Sequence, residues 1–185
     1  MPPTPPPIPQ VRRKVDGLVY VMKQIVIADM SPAEQRASIS EVHIMAALDS
    51  PYVVRYYDSF IEGGVLCIVM EYCDRGDLQR VIRKQEGRLL PEERVWIVFL
   101  QVALGLAYLH SRRTLHRDLK SANVFMCAGD VVKIGDLGVA RVLGTESFFA
   151  RTVCGTPYYL SPELVEGLPY NDKSDMWALG CILCA

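Results

Sequence analysis

The chain has 185 residues, half of them hydrophobic, enough to bury a sizeable core in one domain or a small two-lobed one. Its net charge is −1, and Lys and Arg are spread along it rather than gathered in blocks. That distribution excludes a nucleic-acid footprint and a polybasic membrane patch.

Residues 1–10 hold six prolines, which favours a polyproline-like or disordered tail over a helix or central strand. From Val11 to Glu71 the pattern is strand-like with one helix inserted. The run Gly17–Ile27 is rich in β-branched and aromatic residues and follows a Lys-Val-Asp-Gly turn. The helix starts at Ser31, whose hydroxyl suits an N-cap; Pro32 fits the first position and Glu34 completes a capping box. Glu41, Met45 and Leu48 then fall on one stripe. A carboxylate on an apolar stripe needs a partner. Two further strands are expected at Val53–Phe60 and Val65–Tyr72, joined by Ile-Glu-Gly-Gly.

From Cys73 onward the pattern turns helical. Trp96–Leu109 is an apolar run of 14 residues broken by Gln101, read as a buried helix rather than a membrane span. Short strand and loop segments follow, then an apolar helix beginning near Lys173. The six cysteines have no framework spacing, as expected of reduced thiols in a cytoplasmic protein. Cys181 and Cys184 have the spacing of half a zinc or redox motif but are read as buried helix residues.

The strongest chemical signal is His116-Arg-Asp-Leu-Lys-Ser-Ala-Asn123, a carboxylate, a cation and a carboxamide in one loop after an apolar helix. Thirteen residues beyond Asn123 comes Asp136-Leu-Gly138, after the strand-like Val131-Val-Lys-Ile. Taken singly, each residue is compatible with a solvated polar loop. Together, in this order and interval, they resemble the catalytic and metal-binding loops of eukaryotic protein kinases of the serine/threonine type.

That resemblance carries its own expectations. Asp118 accepts or orients the proton of the substrate hydroxyl, Lys120 supplies positive charge to the transferring phosphate, and Asn123 and Asp136 hold Mg²⁺. Tyr20-Val-Met-Lys23 resembles the family's lysine motif; Lys23 pairs with Glu41 and holds the α- and β-phosphates of ATP. Read without the family, Lys23 is an exposed strand lysine and Glu41 a surface glutamate. Met70-Glu71-Tyr72-Cys73 matches the segment linking the lobes, with Met70 as gatekeeper and the backbone of Glu71 and Cys73 bonding the adenine edge. Asp77 reads equally as a ribose neighbour and as a plain N-cap.

Ser147 to Glu163 resembles the activation segment, with Thr152 as regulatory phosphosite and Arg117 as its partner. Gly155-Thr-Pro-Tyr-Tyr-Leu-Ser-Pro-Glu163 matches the closing motif, with Ser161 where alanine is usual. Asp175 and Trp177 match the start of the central helix, where the aspartate bonds the catalytic-loop backbone. Asp-Leu-Gly and the closing motif look most like the NIMA-related kinases.

The implied fold is α+β and two-lobed. A Pro-rich tail occupies 1–10, a small β-rich N-lobe with one helix 11–72, and a mainly helical C-lobe 73–185. The family's Gly-rich loop and final helices lack counterparts, so the domain is expected to be truncated at both ends. Glu163 is then expected to lack its usual arginine, and Trp177, Leu179 and Ile182 to be exposed. The implied function is phosphorylation of protein substrates with ATP and Mg²⁺, in the cytoplasm, with cytoskeleton, cilium or nucleus as alternatives by family resemblance, and with no nucleic-acid partner and no membrane insertion. The competing reading is a catalytically inactive kinase-fold scaffold, favoured by the missing Gly-rich loop and opposed by the intact acidic residues.

Overall fold

The computed structural model describes residues 9–137 and 158–185. The chain divides into two compact units, one of residues 1–48 and 55–72, the other of residues 49–54 and 73–185. The fold class is α+β: the first unit is β-rich with a single helix, and the second is mainly helical.

In the first unit an antiparallel sheet has the order β1-β2-β4-β3, with β1 at Gln10–Arg12, β2 at Val19–Val26, β3 at Tyr56–Glu62 and β4 at Val65–Glu71. The expected tail therefore ends in the sheet rather than at residue 10. Gln10 pairs with Val21, and the Pro9 carbonyl accepts the Met22 N–H at 3.0 Å. Proline lacks only the donor, so an edge position that needs an acceptor suits it. In β4 the consecutive residues Leu66, Cys67 and Ile68 are all buried, as expected of a central strand covered on both faces.

Helix α1, Pro32–Ala46, begins as the local sequence dictates. The Ser31 N–H donates to the Glu34 carboxylate at 2.7 Å, and the Ser31 hydroxyl accepts the Glu34 N–H at 3.4 Å. Val42, Met45 and Leu48 are buried; the Glu41 side chain lies outside the described residues.

The second unit is organised around α3, Glu92–Ser111. By length and composition alone this 20-residue helix is apolar enough to cross a membrane, a test that core helices of water-soluble proteins also pass. One face buries Val98, Val102, Leu106 and Leu109, while Trp96, Leu100 and Leu104 are about half exposed. Gly105 has a reason to be glycine inside a helix: a Cβ there would lie 2.8 Å from Ile134 Cδ1 and 2.8 Å from the Tyr52 carbonyl. Gln101, the polar break in the run, is used on both ends. It donates to the Asp130 carbonyl at 2.9 Å and accepts the Val132 N–H at 2.9 Å.

Around α3 lie the short helix α2, Leu78–Arg83, and the hairpin of β5, Val124–Met126, with β6, Val132–Ile134. The one-turn helix α4, Pro162–Val165, and α5, Asp172–Leu183, follow among the described residues. The 49–54 segment belongs here because Ile134 bonds it from both sides. Ile134 N–H donates to the Tyr52 carbonyl at 2.8 Å, and its carbonyl accepts the Val54 N–H at 2.8 Å.

Two expectations about α5 are corrected. Leu179 and Ile182 are buried, at 1% and 6% exposure, and only Trp177 of the three stands out at 47%. The reason is that α5 packs on α3, which covers that face. Cys181 is half-buried, and Cys184 is exposed at the helix end rather than inside it.

Candidate active site

The residues of the polar loop meet because the backbone returns them to one place. After Asn123 the chain enters β5, turns at 127–131 and comes back along β6, pairing Val124 with Ile134. The Gly135 N–H then donates to the Asn123 carbonyl at 2.9 Å. The thirteen-residue interval between Asn123 and Asp136 is the length of this hairpin. Gly135 is required by packing, since a Cβ there would lie 2.7 Å from the Phe125 ring and 2.8 Å from Val54 Cγ2. Asp136 follows with φ +57, in the left-handed region that costs a non-glycine residue energy.

Within the loop, the Lys120 ammonium donates to Asp118 Oδ2 at 2.9 Å, and the pair is more than a third exposed. The Asn123 amide nitrogen donates to the Asp118 carbonyl at 2.8 Å and to Oδ2 at 3.3 Å. Using the nitrogen this way turns the carboxamide oxygen, the end that can ligate a cation, away from Asp118. Asn123 is itself buried, in the short 3-10 turn Ser121–Asn123.

The loop is held from beneath by two buried groups. His116 is 1% exposed. Its Nδ1 accepts the Asp118 N–H at 3.2 Å, while Nε2 faces the Gly135 carbonyl at 3.0 Å. A carbonyl can only accept, so Nε2 carries the proton and the ring is the neutral tautomer. Burial pushes the His116 pKa below the ordinary imidazole value, against the pull of Asp175. One ring therefore ties the residue before Asp136 to Asp118.

The second group is Asp175, which is fully buried on the first turn of α5. Its carboxylate accepts the His116 N–H at 3.0 Å, the Arg117 N–H at 3.1 Å, His110 Nε2 at 2.8 Å and the Tyr170 hydroxyl at 2.5 Å. Four donors satisfy the lone pairs of a buried anion, which makes its burial tolerable. The bonds to the catalytic-loop backbone are those the sequence led one to expect of Asp175. His110 and Tyr170 were not anticipated. His110 lies near the end of α3 and Tyr170 in the loop just before α5, and no local spacing signals them.

Glu163 is held by a hydroxyl of the next helix. Its carboxylate accepts a short hydrogen bond from the Ser174 hydroxyl, which holds its pKa below the usual glutamate value. Ser174 is a partner that the sequence reading did not name. The signal was legible in part, because Ser174 is the third helical residue and caps Asn171.

The remaining site residues are distributed between the units. Lys23 lies on β2 opposite Ile68, and Glu71 ends β4 with its carboxylate accepting the Arg55 N–H at 3.1 Å. Cys73 and Asp77 belong to the second unit. Asp77 caps α2, accepting the Arg80 N–H at 2.8 Å. Thr152, Ser147, the 155–157 stretch of the closing motif and Gly138 lie outside the described residues.

Residues 8–185 match the family model described as protein kinase domain. The chain is 48% identical over 173 residues to the serine/threonine-protein kinase Nek1 of Mus musculus, covering 94% of this chain and 14% of that protein. It is 47% identical to Nek4 of Mus musculus, over 92% of this chain and 22% of the relative. To Nek2 of Homo sapiens it is 46% identical, over 94% and 41% respectively. The chain thus spans less than half the length of these relatives.

Proposed function

The chain belongs to the protein kinase domain family, and from that premise we propose that the protein is a serine/threonine kinase acting on protein substrates. The observation that carries the reading is the Asp118 carboxylate, held by Lys120 at 2.9 Å and by the Asn123 amide at 3.3 Å. Phosphoryl transfer asks the protein for positioning and charge neutralisation rather than covalent chemistry. A carboxylate fixed by its neighbours, on a loop anchored to a buried aspartate, meets that demand.

In this reading Asp118 orients the attacking hydroxyl and takes its proton. Lys120, now paired with Asp118, would supply positive charge to the transferring phosphate. The family implies ATP, typically with Mg²⁺. Asn123 and Asp136 offer two hard oxygen donors, and Mg²⁺ characteristically takes few protein ligands, completing its shell with phosphate and water. When bound, the ion neutralises phosphate charge.

The other roles belong to the same proposal and rest on motif resemblance: Lys23 with Glu41 on the phosphates, Glu71 and Cys73 on the adenine, Asp77 beside the ribose, and Thr152 as phosphosite. A cytoplasmic location with cytoskeletal or ciliary association rests on likeness to the Nek kinases. The test is Mg-ATP-dependent phosphorylation of a generic Ser/Thr protein by the natural full-length protein beside Asp118→Asn. The variant is expected to lose about 10²- to 10⁴-fold in rate. Natural protein that turns over no faster than Asp118→Asn refutes the reading.

A further inference from the structure

Tyr159 and Ser121 form a two-point hydroxyl clasp. The Ser121 N–H donates to the Tyr159 hydroxyl oxygen at 3.3 Å, and the same hydroxyl donates its proton to Ser121 Oγ at 3.0 Å. The phenol thus accepts from the backbone and donates to the side chain of one residue. Thirty-eight positions separate the two, and Ser121 is buried at 4% exposure.

The position of Ser121 gives the clasp its consequence. Ser121 follows Lys120 directly and opens the turn that carries Asn123. On its other side Asp118 accepts from both Lys120 and Asn123. Among the described residues this stretch is tied to the rest of the chain near its ends, by the Asp118 N–H on His116 Nδ1 and the Gly135 N–H on the Asn123 carbonyl, and at its middle by the two bonds to Tyr159. Asp175 and His116 hold the loop only ahead of that point. Tyr159 stands two residues before Ser161, which begins α4, so it reaches the loop from a different part of the chain.

We propose that Tyr159 is a positioning residue for Lys120 and Asn123, acting through Ser121. The proposal rests on the kinase reading, because its effect is on the two groups assigned there to the phosphate and the cation. Tyr159 touches no reacting atom in it. Its hydroxyl sets the angle at which the turn presents those side chains, and a loop free to rock by a fraction of an ångström loses rate without losing substrate.

The test uses the full chain with Tyr159→Phe, Ser121→Ala and the double variant, read by steady-state kinetics and by amide hydrogen exchange. Tyr159→Phe keeps the ring and removes both hydrogen bonds. It is expected to lower kcat roughly 3- to 30-fold, the worth of one or two hydrogen bonds, with the KM for ATP changed less than about twofold. The double variant should match Tyr159→Phe, since the two groups act as one unit. Amides 121–124 should exchange faster in Tyr159→Phe, while those of α3 stay as they were.

An unchanged kcat, a loss expressed mainly in KM, or additive single effects overturns the positioning role. Unchanged exchange across 121–124 overturns the clasp itself, whatever the activity. Natural protein with no Asp118-dependent turnover refutes the kinase reading and the catalytic part of this proposal with it; exchange then decides the clasp alone.

Discussion

The buried Asp175 carboxylate holds Arg117 in a left-handed backbone conformation. Arg117 has φ +66, and its N–H donates to Asp175 Oδ1 at 3.1 Å. An arginine does not choose that region unaided. The strain lies on the residue immediately before Asp118 and is offset by a charged hydrogen bond inside the protein.

Asp175→Asn should therefore be costly despite its nearly identical shape. A carboxamide presents one acceptor and one donor end, so at least one pair of the four donors now faces an N–H₂ group. The expected loss is about 2–4 kcal/mol of unfolding free energy, measured by urea denaturation. A loss under about 1 kcal/mol, within ordinary surface-mutation effects, would remove Asp175 as the anchor.

Two glycines are held by packing, one of them, Gly105, against the helix propensity of its position. Alanine for glycine in a helix interior usually stabilises by about 1 kcal/mol. At Gly105 the sign should reverse, because the Cβ meets Ile134 and the Tyr52 carbonyl at 2.8 Å. Gly105→Ala and Gly135→Ala are each expected to destabilise by about 1–3 kcal/mol, as overpacking does. A higher melting temperature for Gly105→Ala would show that the contact relaxes at no cost.

His116 sets a pH dependence with a definite sign. Its folded pKa lies below the ordinary value of 6.5 because burial opposes the charged ring. Below that ordinary value the unfolded chain takes up a proton that the folded chain refuses. Stability is therefore retained above about pH 6.5 and falls as pH drops through that value, by at most about 1.4 kcal/mol per pH unit for one proton. Urea unfolding at several pH values between 7.5 and 5 should show this slope, and His116→Gln should flatten it. An equal slope in the variant would assign the effect elsewhere.

The carboxylate of Glu163 works in a lower window. Its folded pKa is held below the ordinary 4.5, chiefly by the Ser174 hydroxyl. This contribution is present above pH 4.5 and is lost as pH falls through the folded value. Ser174→Ala should reduce the part of the acid-induced loss below pH 4.5 and leave the His116 window unchanged. Loss of the upper window instead would contradict the assignment.

Ser161 offers a prediction of the opposite kind. Its hydroxyl is fully buried and, among the described residues, makes no hydrogen bond, although it lies near enough to Glu163 to favour that carboxylate weakly. Replacing an unsatisfied buried hydroxyl by a methyl hydrogen removes a desolvation cost. Ser161→Ala is expected to raise unfolding free energy by up to about 1 kcal/mol. A clear loss of stability would mean that the hydroxyl has a partner.

By itself the sequence determined what is local. The Ser31–Glu34 box and the Asp77 cap depend on neighbours a few residues away, and their geometry follows from short-range hydrogen bonding. The order and interval of Asp118, Asn123 and Asp136 also lie in the sequence, because a hairpin of set length has to join them. The tertiary structure decided which groups serve as partners across long separations. His110 on Asp175, Tyr159 on Ser121 and the burial of Leu179 and Ile182 are of that kind, while Tyr170 on Asp175 and Ser174 on Glu163 join residues five and eleven apart that no local pattern pairs. Burial and the satisfaction of buried polar groups depend on what packs from elsewhere in the chain, and a one-dimensional pattern carries that information only weakly.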